Sequence, residues 1–265
     1  MNTSLLSLLV VCLYLLSAYA IWHATLKNDS KFHLIGSSAL ILGWGIQAYL
    51  LHILIDTHQG QNLSMSNLST IISWFMLAII GFYHSRGKIS LLMMVMLVIS
   101  AIFQTISEWF PSQRVFSLAS NPNAVIHIIS SLFAYSLLAL AALQAVWIWW
   151  LDSRLKQHMD SASPFIPSLL GMEKLLFQFI TVGFIVFSVS ILYALFFLHA
   201  ELWEQPLHKL VLSFASWFVF GLLLVGHLRF GWRGKQAATW TLSAFLMLAL
   251  AYFGVWAVKL WLIVG

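Results

Sequence analysis

Eight apolar runs, at about 4–24, 34–55, 67–83, 89–106, 124–150, 174–197, 208–228 and 236–263, alternate with short polar stretches along the 265-residue chain. Each is near the roughly 17–25 residues that a helix needs to cross a bilayer. Inside lipid the backbone finds hydrogen-bond partners only within its own segment, so every run is predicted to be helical. The third and fourth runs are the shortest, and their ends are the least defined. The pattern predicts an all-α polytopic membrane helix bundle of about eight transmembrane helices. No linker divides the chain, so 1–265 is expected to form a single integral membrane domain. The longest polar stretch, about 151–173 with Pro164 and Pro167, is expected to be a loop.

Composition supports lipid as the main solvent: 61% of residues are hydrophobic and 8% are charged, against roughly 25% charged in soluble domains. The formal charge of +5 does not imply a nucleic-acid partner, because the basic residues sit in short loops rather than on one face. Lys27, Lys31, Arg86, Lys88, Arg154, Lys156, Lys174, Arg229, Arg233 and Lys235 all fall on one side of the predicted bundle, ten of the thirteen basic residues. The positive-inside rule makes that side cytoplasmic. Both termini are then expected on the outer side, the periplasm in a Gram-negative cell. Ala18-Tyr19-Ala20 resembles a signal-peptidase site, but Met1-Asn2-Thr3-Ser4 lacks the positive charge that opens a signal peptide. The first run is therefore expected to be retained as a helix. Cys12 is the single cysteine, which excludes an intramolecular disulfide and Cys-based metal sites.

Ten histidines accompany eight acidic residues. His52, His58, His127, His199 and His208 fall near the predicted outer face, and His23, His33, His84, His158 and His227 near the inner one. An interfacial imidazole that wets its polar tip is the ordinary reading of each. Polar groups within a span more often mark function, which raises His127 and His52 above the rest. Neutral imidazole ligates metals and haem iron. No His-Glu-x-x-His pattern is present for a zinc hydrolase, and no P-loop or nucleotide fingerprint occurs. On the fifth run His127, Ser131, Ala134/Tyr135 and Leu138 share one face at helical spacing. That face is small and polar, open either to a packed helix or to a flat cofactor. His208 and His227 stand at opposite ends of the seventh run, roughly 28 Å apart at 1.5 Å per residue, too far to share one metal. Lys209 is predicted to pair with Glu204 or to meet an anionic group such as a propionate. Trp109 and Trp203 in the outer loops read as interfacial anchors, and Gly43 and Gly45 as helix-packing positions.

Four ordered stretches resemble the cytochrome c assembly protein family, the CcsA-type and CcmC-type haem-handling membrane proteins. They are His52-Ile53-Leu54-Ile55 with Ser66-Asn67-Leu68; His127 with Ala134-Tyr135; Lys209 with Trp217 and Gly231-Trp232-Arg233-Gly234; and Tyr252-Phe253-Gly254-Val255. Together they cover helices two to eight. The chain is similar to the short eight-helix inner-membrane branch of the YpjD and HemX kind. The resemblance implies a multi-pass protein of the cell inner membrane that binds or moves haem and turns over no substrate. The implied partners are the lipid bilayer, haem and other membrane assembly factors. The candidate cofactor-binding residues are His127, His208, His227, His52, Lys209, Trp203 and Tyr135: the resemblance implies His127 as an outer ligand of haem iron, with His208 as its candidate partner and His227 as the candidate inner ligand.

The departures bear on function. The family's outer loop ends Trp-Asp-Pro-Lys-Glu; here Trp203-Glu204-Gln205-Pro206-Leu207-His208-Lys209-Leu210 keeps the Lys but has Leu207 and Leu210 at the acidic positions. No histidine lies between Gly254 and Gly265, where the family has its other outer histidine. The family's inner histidine aligns with Val225, and His227 is about 200° further around the helix. Of the family's haem histidines only His127 carries over, with His208 or His199 as replacements for the missing ligand. A non-haem accessory protein on the same scaffold, serving an ion transporter or a haem-synthesis enzyme, is the alternative expectation.

Overall fold

The computed structural model describes residues 3–58, 60–84, 90–112, 114–118, 121–155, 169–199, 201 and 205–264, without the side chains of 90, 153–155 and 255–264. Eight long helices carry the chain: α1 (Thr3–Lys27), α2 (Ser30–Ile55), α3 (Met65–His84), α4 (Ser90–Trp109), α5 (Pro122–Leu155), α6 (Leu169–Phe197), α7 (Leu207–Phe230) and α8 (Gly234–Val264). All eight are long and apolar enough to span a membrane. Leu8, Leu15, Ile41, Val189, Phe218 and Leu246 project outward, as expected where the surrounding solvent is hydrocarbon.

The helices outrun the apolar windows. α5 reaches Leu155 and α6 starts at Leu169, so the expected 151–173 loop is shorter at both ends. Backbone hydrogen bonding continues past the apolar stretch wherever no proline or cap stops it. The connections also hold a small sheet absent from the sequence prediction. β1 (Asp56–Thr57), β2 (Gly60–Asn62) and β3 (Val115–Phe116) pair antiparallel in that order. The pairing satisfies loop backbone groups that a bare connection would leave to solvent.

The chain divides near Pro122 into two compact units. In the first, α1 packs on α2 and α4, and α3 on α4 and α2. Gly43 lets α2 approach α1 closely: a Cβ there would lie 2.9 Å from Tyr14 Cε1. Gly45, expected to do the same, has nothing near its missing Cβ. The indoles of Trp44 and Trp74 stack at 4.5 Å, and each Nε1–H donates to the other's carbonyl, at 3.2 and 3.0 Å. Asn67 of the family-like Ser66-Asn67-Leu68 segment is buried and donates to Asn62 O (2.9 Å), which holds the hairpin against α3.

A hydrogen-bonded polar chain runs inside this unit. Glu108 accepts from Ser4 (2.6 Å) and Ser7 (2.9 Å), Gln104 donates to Ser7 (2.9 Å), Gln47 donates to Gln104 (3.4 Å), and the Tyr14 hydroxyl donates to Gln47. Tyr14 and Gln47 are fully buried. With no water in the hydrocarbon region, these groups persist inside the bundle by pairing with one another.

In the second unit α6 meets α5 at Gly183, where an added Cβ would be 2.9 Å from Leu138 Cδ2. Trp217 Nε1 on α7 donates to Ser188 on α6 (2.8 Å), and Ser216 donates to Ala244 O on α8 (2.8 Å). α7 ends at Gly231, whose left-handed φ of 66° lets its N–H return to the last turn of the helix. This is the glycine C-cap that a β-carbon disfavours. The carboxylate of Glu173 then accepts from Gly234 N (2.7 Å) at the start of α8, where the helix dipole favours negative charge.

Candidate functional site

The first turns of α5 carry the small polar face anticipated at His127, and the structure shows what meets it. Ser190 of α6, almost fully buried, sits against that face. Its hydroxyl lies 2.8 Å from Ser131 Oγ, accepts from Ser130 at 3.0 Å, and is 3.1 Å from His127 Nδ1. His127 Nδ1 is also 3.1 Å from the Ser190 carbonyl oxygen. A carbonyl only accepts, so Nδ1 is assigned the proton and Nε2 the lone pair. Nε2 has a long contact of 3.5 Å to Ser131 Oγ, whose stronger bond is with Ser190. The helix thus holds a neutral imidazole by one nitrogen and leaves the other with a ligating lone pair. This is how metal-bound histidines are commonly oriented by an outer partner. The serines themselves are explained by helix packing: the stripe is filled by Ser190.

Two further elements complete this end of the unit. Lys209, in the first turn of α7, lies within Coulombic reach of His127. Its ammonium is 5.6 Å from the Tyr252 ring centroid on α8, and Gln205 Oε1 accepts from it at 3.0 Å. Tyr252 is tilted against Tyr135 of α5 at 5.5 Å, and the Tyr135 hydroxyl donates to Leu248 O (3.3 Å). One helical turn beyond Ser190, Tyr193 donates to Asn123 (2.9 Å) and ties α6 to the start of α5. The result is an imidazole, a cation and two phenol rings supplied by α5, α7 and α8, with α6 as backing.

The anticipated residues divide accordingly. His127, Tyr135 and Lys209 come together. His208 is exposed in the first turn of α7, next to Lys209. His227 is at the far end of α7: its Nδ1 lies 2.9 Å from Trp232 O, and its ring stacks on Phe177 at 3.4 Å. Those contacts close the α7–α8 turn around Gly231. His52 belongs to the first unit, where it is exposed and 2.8 Å from Asp56. Trp203, and the Glu204 expected to pair with Lys209, lie outside the described residues. Among the described residues no group of three or more His, Cys, Asp or Glu side chains is gathered for a metal ion.

Ser190 was not anticipated. The visible signal was a pair of hydroxyls, Ser188 and Ser190, inside the most apolar run. Which of the two would meet His127, and which Trp217, depends on the rotation of α6 against its neighbours.

The family model described as Cytochrome C assembly protein matches residues 3–263. The chain is 31% identical over 202 residues to the inner membrane protein YpjD of Escherichia coli (strain K12), covering 76% of this chain and 77% of that protein. It is 28% identical over 222 residues to an uncharacterized 28.8 kDa protein in a nifR3-like 5' region of Azospirillum brasilense, covering 82% of each. No solved structure matches.

Proposed function

Since the chain belongs to the cytochrome c assembly protein family and is a multi-pass inner-membrane protein, we propose that it binds haem and passes it on, with His127 as an axial ligand. The observation that supports this most is the anchored Nδ1 of His127 beside an Nε2 lone pair whose contact to Ser131 Oγ is long, at 3.5 Å. The residues present fit the group. A neutral imidazole is a standard axial donor to haem iron. Lys209 offers the cation a propionate would need, and the Tyr252 ring, backed by the buried Tyr135, offers aromatic surface beside it. Bound haem would supply the iron that the imidazole ligates; the work left to the protein is to orient, hold and release. Ser190 fixes the imidazole, and Lys209 would hold the anionic edge. His208, one residue before Lys209, is the candidate for a second ligand to the iron. The protein turns over no substrate in this reading.

The His127 end is read as the outer, periplasmic face, with both termini there. The opposite loops hold ten of the thirteen Lys and Arg residues, and such an excess marks the cytoplasmic side. Other membrane assembly factors are the proposed source or recipient of the haem.

The test is the absorption spectrum of full-length protein purified from haem-replete cells. A Soret band that weakens in His127→Ala is the expected result. Haem-free protein that takes up no haem on reconstitution sinks the proposal. Two observations favour a second reading, a non-haem accessory role: Ser190 occupies the small polar stripe and hydrogen-bonds its serines, and the outer loop lacks the family's acidic positions. In that case a partner co-purifies equally well with wild type and His127→Ala.

A further inference from the structure

The first unit contains imidazoles that the haem reading does not use. His23 near the end of α1, His33 in the first turn of α2 and His84 at the end of α3 are carried to one end of that unit. His84 is only 6% exposed, and neither of its ring nitrogens has a hydrogen-bond partner. His23 Nδ1 is likewise buried and unpartnered. Buried polar atoms are nearly always satisfied, and those that are not usually point to an ion or water at the site. A phenylalanine would fill the position of His84 without that penalty, so packing alone does not account for an imidazole there.

His33 supplies the route to solvent. Its ring lies on His84 at 5.4 Å with planes 13° apart. It is exposed, and it lines an open cavity of about 290 Å³ with Asn28, Asp29 and Ser30. Asp29 uses Oδ1 to accept from Lys31 N (2.9 Å). Ring nitrogens that share one ion lie at most about 4 Å apart, given metal–nitrogen bonds of about 2.0–2.1 Å. Closing the present ring spacing calls for a side-chain rotation of His33, the exposed partner, since His84 is buried.

We propose that His84 and His33 form a binding site for a divalent transition-metal ion of the zinc type. Neutral imidazole suits zinc, copper, iron and nickel. No third metal-ligating side chain is gathered there among the described residues, so water and the oxygen atoms of the cavity complete the coordination. A site with two protein ligands and open positions exchanges its ion, unlike a closed structural site with four. It lies in a different unit from His127 and does not depend on haem binding.

The test uses full-length protein in detergent, stripped with a chelator and titrated with Co²⁺ as a spectroscopic probe and with Zn²⁺ by calorimetry. Wild type is expected to take up about one ion per chain. His84→Phe keeps the packing and is expected to abolish uptake. His33→Ala, a change at an exposed ring, is expected to weaken uptake by more than the roughly 10–100-fold lost with an outer-shell partner. His127→Ala is expected to bind as wild type does. Absence of uptake by wild type overturns the proposal, as does unchanged uptake in His33→Ala. Loss of uptake in His127→Ala with retention in His84→Phe would place the metal in the other unit and overturn it equally.

Discussion

A single residue decides how His127 is presented. Ser190 contributes both its carbonyl and its side chain to Nδ1. In Ser190→Ala the carbonyl contact survives and the hydroxyl contact is lost. Haem affinity is expected to fall by about tenfold, the low end for an outer partner, measured by haem titration against the apoprotein. An effect as large as that of His127→Ala would show that Ser190 does more than orient the ring. At Gly231 the backbone, not the chemistry, is at stake. With φ at 66°, Gly231→Ala forces a β-carbon into the left-handed region and should cost about 1–2 kcal/mol, read as a lower melting temperature in detergent. His127 could be singled out from sequence because a ligand-capable group headed a polar stripe. Ser190 could not, because a serine in an apolar run looks the same whether it packs, bonds its own helix or orients a ligand.

At the scale of elements, the interior polar chain of the first unit is the feature with energetic consequences. α1, α2 and α4 each contribute members: Tyr14 and Ser7, Gln47, Gln104 and Glu108. Replacing one partner strands the other. Gln47→Leu leaves the Tyr14 hydroxyl unpaired in a dry interior and is expected to destabilise by about 1–3 kcal/mol. The double variant Tyr14→Phe/Gln47→Leu removes donor and acceptor together and should recover part of that loss. Unfolding of the four proteins of this cycle in denaturant measures the coupling; additive effects would mean that the bond contributes nothing. These helices were legible from apolar length alone. Their partnering was not, since Gln47 and Gln104 are separated by more than fifty positions and nothing local announces their contact. The strands were missed for a related reason: two- and three-residue strands have no periodicity to detect, and β3 exists only because β2 lies beside it.

For the whole molecule, the charge distribution predicts an orientation that can be measured directly. In a Cys12→Ser background, a cysteine at Thr57 should react with a membrane-impermeant maleimide on intact spheroplasts, and one at Asn28 only after permeabilisation. The reverse pattern would invert the bundle and put His127 on the cytoplasmic face. The number of helices and their approximate limits follow from the sequence by itself, and the orientation proposed here rests on it alone. Hydrophobic length and loop charge act through the bilayer, which every segment meets independently of the others. The membrane role followed too, because the spaced family stretches survive as linear order. What only the tertiary structure decided is which polar groups find one another. It set Ser190 beneath His127, Lys209 beside Tyr252, and His33 on His84, while His227 was turned into the α7–α8 connection. Those outcomes depend on the rotation of each helix about its axis and on the neighbour it packs against. In lipid, where all faces of a helix are apolar, hydropathy carries almost no record of that rotation.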